Sequence, residues 1–324
     1  MTRRDAIGLV RAAFGAAALF LAGGVIPMVG GVVMLFAPTP VLGFAIGYPR
    51  ALLRMAAVVT LATGLIALGA GPSAAGAYLL TLGLATVVMV YLIDRRRPFE
   101  TIVLCSTAAM LLAGVAVALA FAGSPAALAE AMRHDLAIAM TRGEKFYKSI
   151  GIDSAILPEM RAAIVEVTLR LSPALAVLAA AFTVLINLGV FWRLSGRQQR
   201  FGYMLFEDLA RWSSPDWLIW VLLATGFTTG FGVFIPVDQA ISTIALDLFV
   251  CVAAVYFCQG LAIMAFYFKV LAMPPLARGL IYFVTIVQPV LAALVCAVGI
   301  FDLFIDFRRL KPPSQEARNL GDYL

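Results

Sequence analysis

Long apolar runs alternate with short clusters of arginine along the chain, and that alternation predicts a bundle of membrane helices. The clearest run is Ile241–Phe268, longer than the roughly 20 apolar residues that cross a bilayer. It contains Asp247 and Gln259, side chains that are costly in hydrocarbon unless a neighbouring helix or water receives them. The helix therefore has to sit among others. Further runs at 12–36, 55–69, 74–93, 101–122, 173–192, 217–235 and 280–304 supply them, with a short apolar segment at 41–48. The predicted fold is all-α, a polytopic transmembrane bundle of about 8–9 membrane segments.

The residues between the runs refine the picture. Gly23, Gly24 and Pro27 are expected to bend the first helix, and Ala37-Pro38-Thr39-Pro40 to end it. Its run is too long for the apolar part of a secretory signal. Gly71-Pro72-Ser73 reads as a turn and Asp94-Arg95-Arg96-Arg97-Pro98 as a cytoplasmic stop. If 41–48 is a crossing, the arginines at 50/54, 95–97 and 193–211 and the Lys269/Arg278 loop all lie inside, as the positive-inside bias requires. The basic tail after 307 then lies outside, against that bias. Leaving 41–48 out repairs the tail and places those basic loops outside, so the first count is preferred and the side of the C-terminus stays open.

One polar insertion stands out, at 123–172. Ser124-Pro125 is a good helix start, and Leu128, Met132, Leu136 and Met140 recur at i,i+4 behind it. A second amphipathic helix is expected from Pro158 through Ile164 and Leu171. Together they form either a cap on the membrane surface or a lid over a pocket. Residues 201–212 read as an interfacial helix, and Trp212, Trp217 and Trp220 as headgroup anchors. The expected layout is a six-helix core at 1–195 carrying the insertion, a cytoplasmic loop at 196–216, a three-helix extension at 217–307 and a polar tail at 308–324.

Composition agrees. The chain is 63% hydrophobic and 13% charged, with a mean hydropathy of +0.99, against about 45–50% and about 25% in soluble domains. Its net charge of +6 comes from clusters between apolar runs, which reads as membrane topology rather than a nucleic-acid surface. Cys105, Cys251, Cys258 and Cys296 lie within apolar runs without a CxxC pair, and His134 is the only histidine. No metal site, cofactor site or disulfide framework is expected. Phosphate-loop, zinc-protease and serine-hydrolase motifs are absent, so no catalytic residue is assigned and no enzyme is expected.

The polar residues inside the runs are the candidates for a site. Thr225, Thr228, Thr229 and Gly232 lie within about 100° on a helical wheel, and Gln288, Val295, Gly299, Asp302 and Asp306 form a similar stripe. With Asp247, Gln259 and Asn187 they define a candidate ligand-binding set: Asp247, Gln259, Gln288, Thr225, Thr229 and Asn187. The competing reading is helix packing, in which small residues allow close approach and polar ones bond across helices. Asp302 and Asp306 also stand where Arg308 or Arg309 can pair with them. The small-residue spacings Ala12/Ala16 and Ala13/Ala17 make a candidate docking face for a partner, or a close contact within the chain.

Two blocks carry a resemblance. Tyr256-Phe257-Cys258-Gln259-Gly260-Leu261-Ala262 and the ending Gly299 to Arg309 resemble the C-terminal signature of the YybS-like bacterial membrane proteins, a domain of unknown function; Ser214-Pro215-Asp216-Trp217 also fits. The part to about residue 194 is similar in layout to the S-components of energy-coupling factor transporters, and to the cell-shape protein MreD. The resemblance implies a bacterial inner-membrane protein that binds a small ligand and works with a coupling subunit and an ATPase. Its alternative is a scaffold among envelope-synthesis proteins. The three extra spans depart from the S-component pattern, and layout alone does not assign function.

Overall fold

The computed structural model describes residues 3–26, 29–46, 50–149, 157–195, 209–231 and 238–308. Among these every regular element is helical and no strand occurs. The chain divides into two compact units, Met1–Leu205 and Phe206–Leu324, and the division falls within the basic loop.

In unit 1 the first apolar run is not one helix. Helix α1 (Arg3–Val25) stops, and α2 (Gly30–Met34) and α3 (Pro38–Ala45) come back along it. Met34 packs at Gly23, Pro40 at Gly15 and Phe44 at Gly8, so the two limbs are antiparallel. Gly23 and Gly24 thus lie just before a reversal rather than at a mid-helix bend; Pro27 and Tyr48 lie outside the described residues. The return needs a glycine at 30, where any Cβ would overlap the Ala22 carbonyl. Pro38 and Pro40 open α3 instead of ending a helix, because proline at the first turn lacks only an N–H that has no partner there.

A helical stretch of 44 residues follows, Ala51–Asp94. It comprises α4 (Ala51–Tyr78), a π-helical turn at Leu79–Gly83 and α5 (Leu84–Asp94). Extended as one rod it would be about 66 Å long, twice the hydrocarbon core. It folds back instead at Gly71, whose φ of 88° and ψ of 170° are not helical and which precedes Pro72. A Cβ on Gly83 would touch Val59 at 3.4 Å, which only a reversal allows. The limbs 51–70 and 72–94 are each of crossing length, with the turn where the sequence placed it. Helix α6 (Phe99–Ala122) packs on α5 and on α9 (Ser172–Ser195), and α9 also packs on α3.

Ala12, Ala13, Ala16 and Ala17 are all buried, at 6% exposure or less. They let α3 and α4 approach α1 closely. The small-residue face is thus covered by the chain's own helices, the close contact within the chain that its spacing allows. Between α6 and α9, α7 (Pro125–Ser149) and α8 (Leu157–Arg170) pair with each other. Ser124 Oγ accepts from Ala127 N at 3.1 Å as the start signal predicts. Arg133 bridges Glu130 at 3.0 Å and Glu166 at 3.8 Å.

Unit 2 contains α10 (Leu218–Phe231), α11 (Gln239–Val270), α12 (Pro275–Val287) and α13 (Pro289–Ile305). The expected last span is two helices bent by 102°. Pro289 cannot donate to the helix before it and forces Gln288 out of the helical region, to φ −95° and ψ 108°. Most of the expected interfacial helix, 201–208, and the tail from 309 lie outside the described residues.

Among the described residues five helical stretches are long and apolar enough to cross a membrane, with Ala51–Asp94 counted once, and six if the bent pair counts as one.

Candidate functional site

The relative direction of α11 and α13 organises unit 2. Cys296 Sγ donates to Ala253 O at 3.3 Å, Gln259 meets Asp302, and Tyr267 Oη donates to Phe307 O at 3.0 Å. Both residue numbers rise together, so the helices are parallel. They cross where Gly260 faces Val295 and Gly299 faces Tyr256. A Cβ on Gly260 would lie 2.6 Å from Val295 Cγ1, and one on Gly299 would lie 2.9 Å from Gly260 N. Two glycines therefore bring backbone against backbone, as small-xxx-small contacts do between membrane helices. Helix α10 runs antiparallel to both, with Phe249 packed at Gly226 and Ser214 at Gln259.

Just beyond this crossing four polar side chains converge, and Gln259, Asp302 and Arg308 are at most 5% exposed. Gln259 Oε1 accepts from Ser214 N at 3.1 Å and from Ser214 Oγ at 2.5 Å. Its Nε2 donates to Asp302 Oδ2 at 3.1 Å. Arg308 Nη2 donates to the same oxygen at 2.7 Å. Arg308 Nη1 donates to Ala210 O and Trp212 O, both at 2.8 Å, and Phe307 N donates to Asp302 Oδ1 at 3.0 Å. Asp306 in the left-handed region (φ 45°) ends α13 and turns the chain so that Arg308 reaches back.

The chemistry of this cluster is bracing. The segment 212–215 is irregular, and α13 has just ended, so both leave backbone groups without helical partners. Inside a membrane protein such groups have to be bonded internally. Gln259, Asp302 and Arg308 do this, and the buried charge is paired and hydrogen-bonded as burial demands. Arg308 Nε has no partner among the described residues. The Tyr256 hydroxyl approaches Ser214 without hydrogen-bond geometry.

Unit 1 contains the same device. Thr39 N donates to Phe36 O, three residues back, at 3.0 Å. That releases the Leu35 carbonyl, which an unbroken helix would bond to Thr39. Asn187 Nδ2 donates to Leu35 O at 2.6 Å and to Thr183 O at 2.7 Å, while Thr39 Oγ1 donates to Asn187 Oδ1 at 2.7 Å. Asn187 repairs the break between α2 and α3.

The expected ligand set is divided between the two units. Asn187 belongs to unit 1. Thr225, Thr228 and Thr229 donate to carbonyls of their own helix at 2.7–2.8 Å. Gln288 is exposed at the α12–α13 bend, and Asp247 is half-buried on α11. Gln259 joins the cluster in unit 2, with Asp302. Ser214 and Arg308 complete it; the cue in the sequence was a Ser-Pro pair opening one helix and an arginine two residues past an aspartate ending another. No group of His, Cys, Asp and Glu fit for a metal occurs among the described residues.

Bundled apolar helices whose internal polar groups bond broken backbone define a polytopic α-helical membrane protein. The chain belongs to the family described as Predicted membrane protein (DUF2232), whose model matches residues 16–303. No curated protein and no solved structure matches it.

Proposed function

We propose that the chain is a non-catalytic, multi-pass protein of the bacterial inner membrane that acts as a scaffold, holding other envelope proteins during growth. The observation behind this is that Asn187, Gln259, Asp302 and Arg308, all at most 5% exposed, bond to the chain itself. A scaffold needs rigid apolar helices and no reactive centre.

The same reading gives the topology. Asp5 of α1 bonds Arg54 of α4 at 3.1 Å, so both helices start on one side and 30–45 counts as a crossing. Because α13 runs parallel to α11, the α12–α13 pair leaves the membrane on the side where it enters. Eight crossings plus that pair place Arg308 with Lys269 and Arg278. Every short basic cluster is then cytoplasmic, and the conflict at the C-terminus disappears.

Gentle extraction of the tagged protein, with identification of what stays bound by mass spectrometry, tests the proposal. Cell-wall synthesis or division proteins are the expected companions. An ATPase with a membrane coupling subunit would overturn it in favour of a small-molecule-binding transport component. One observation favours that second reading: Ser106 Oγ and Thr107 Oγ1 are buried on α6 without a hydrogen-bond partner among the described residues, and α6 packs on the π-helical turn Leu79–Gly83, a distortion frequent at functional sites.

A further inference from the structure

Folding, more than sequence proximity, gathers arginines at one end of unit 1. The Asp5–Arg54 pair joins residues 49 positions apart. Phe44, at the end of α3, packs at Gly8 and lies under the Arg54 guanidinium, 5.4 Å from ring centroid to Cζ. The first turns of α1 and α4 therefore stand side by side. They carry Arg3, Arg4, Arg11, Arg50 and Arg54 against a single acid, Asp5.

Arg54 is engaged with Asp5. Arg4, Arg11 and Arg50 are exposed and form no ion pair among the described residues. Arg4 and Arg11 are seven residues apart, on one side of α1. Arg50 is the residue before α4, in the left-handed region (φ 61°), and no side chain caps the first N–H groups of that helix. Arg11 is flanked by exposed Ile7, Val10 and Phe14, a lipid-facing surface on which an arginine has to extend its guanidinium to the phosphate layer.

We propose that this end of unit 1 binds the phosphate headgroup of an anionic phospholipid. Arg4, Arg11 and Arg50 supply the charge, and the Asp5–Arg54 pair fixes the spacing of the two helices. Lipid is favoured over an acidic protein segment because the arginines rise from an apolar, lipid-facing strip. Arginine also suits phosphate through paired N–H donors.

The test is lipid binding to the full-length protein in detergent, followed by native mass spectrometry with phosphatidylglycerol and with phosphatidylcholine. The variants are R4Q/R11Q/R50Q and, as a control in another basic loop, R95Q/R97Q. Each arginine that engages the bound headgroup contributes about five-fold, so the triple variant is expected to lose on the order of 100-fold in phosphatidylglycerol binding. The control is expected to lose none, and phosphatidylcholine binding is expected to stay unchanged. Equal phosphatidylglycerol binding by the triple variant and wild type overturns the proposal. An equal loss in the control does so too, since binding would then follow net charge alone. Arginine-dependent capture of an acidic protein without preference for phosphatidylglycerol also refutes it. Should the triple variant fail to fold, R11Q alone, at an exposed position, is expected to show the single five-fold loss, and its absence refutes the site.

Discussion

Replacing Arg308 by methionine isolates what the buried cluster does. The side chain is 1% exposed and that of Asp302 5%, so the substitution leaves a buried carboxylate whose donors among the described residues are Gln259 Nε2 and Phe307 N. Removing one partner of a buried pair costs about 3–5 kcal/mol. Ala210 O and Trp212 O also lose their donor. Polar bonds between membrane helices average only about 0.6 kcal/mol, so those two add about 1 kcal/mol, and R308M is expected to cost on the order of 5 kcal/mol. Asp302→Asn leaves the cation with its two carbonyls and is expected to cost about 2–3 kcal/mol. The double variant has no stranded charge and loses only hydrogen bonds, on the order of 2 kcal/mol. The singles then exceed the double by several kcal/mol, a coupling at or above the top of the range for residues in one network. Reversible unfolding in bicelles, with full-length protein, reads all three. If R308M cost under about 1 kcal/mol, or the two changes added within about 0.5 kcal/mol, the cluster would not be the brace described here.

Gly299→Ala is expected to destabilise by at least about 1–3 kcal/mol, because the atoms it meets are backbone. Gly189→Ala, with open space around it, should be neutral or stabilising by the same unfolding assay. Asn187→Leu should cost about 1–3 kcal/mol by leaving the Leu35 carbonyl unbonded, whereas Thr228→Val, whose hydroxyl bonds only its own helix, should stay within about 0.5 kcal/mol. Cysteine at position 73 should react with an impermeant maleimide in whole cells and cysteine at position 96 only after permeabilisation. Labelling from one side would refute the reversal at Gly71.

Helix positions were legible because lipid leaves a long signal. The runs at 101–122, 173–192 and 241–268 correspond to α6, α9 and α11 within a few residues. The turn at 71–73 was legible because glycine and proline change the backbone locally. The first and last runs were misread for the same reason: each is apolar on both limbs of a reversal, so hydropathy does not mark where the chain turns. The first reversal shows as a close approach, the Gly30 backbone against Ala22. At 288 a single proline in an apolar run bends the chain by 102°, a change that composition averages away.

The polar residues were found but not their partners, and the partner decides the role. An asparagine or glutamine within an apolar run has the same sequence signature whether it faces a ligand or a broken helix. Asn187 bonds a carbonyl released 152 residues earlier, and Gln259 bonds Ser214, 45 residues away. Both breaks were visible as prolines, at 38 and 215. In a membrane protein a proline that interrupts a helix implies an acceptor or donor elsewhere to receive the freed groups. Pairing each such break with an unexplained intramembrane polar residue would have assigned Asn187 and Gln259 to bracing, and left Ser106 and Thr107 of α6, whose hydroxyls have no such break to serve, as the residues to test for ligand.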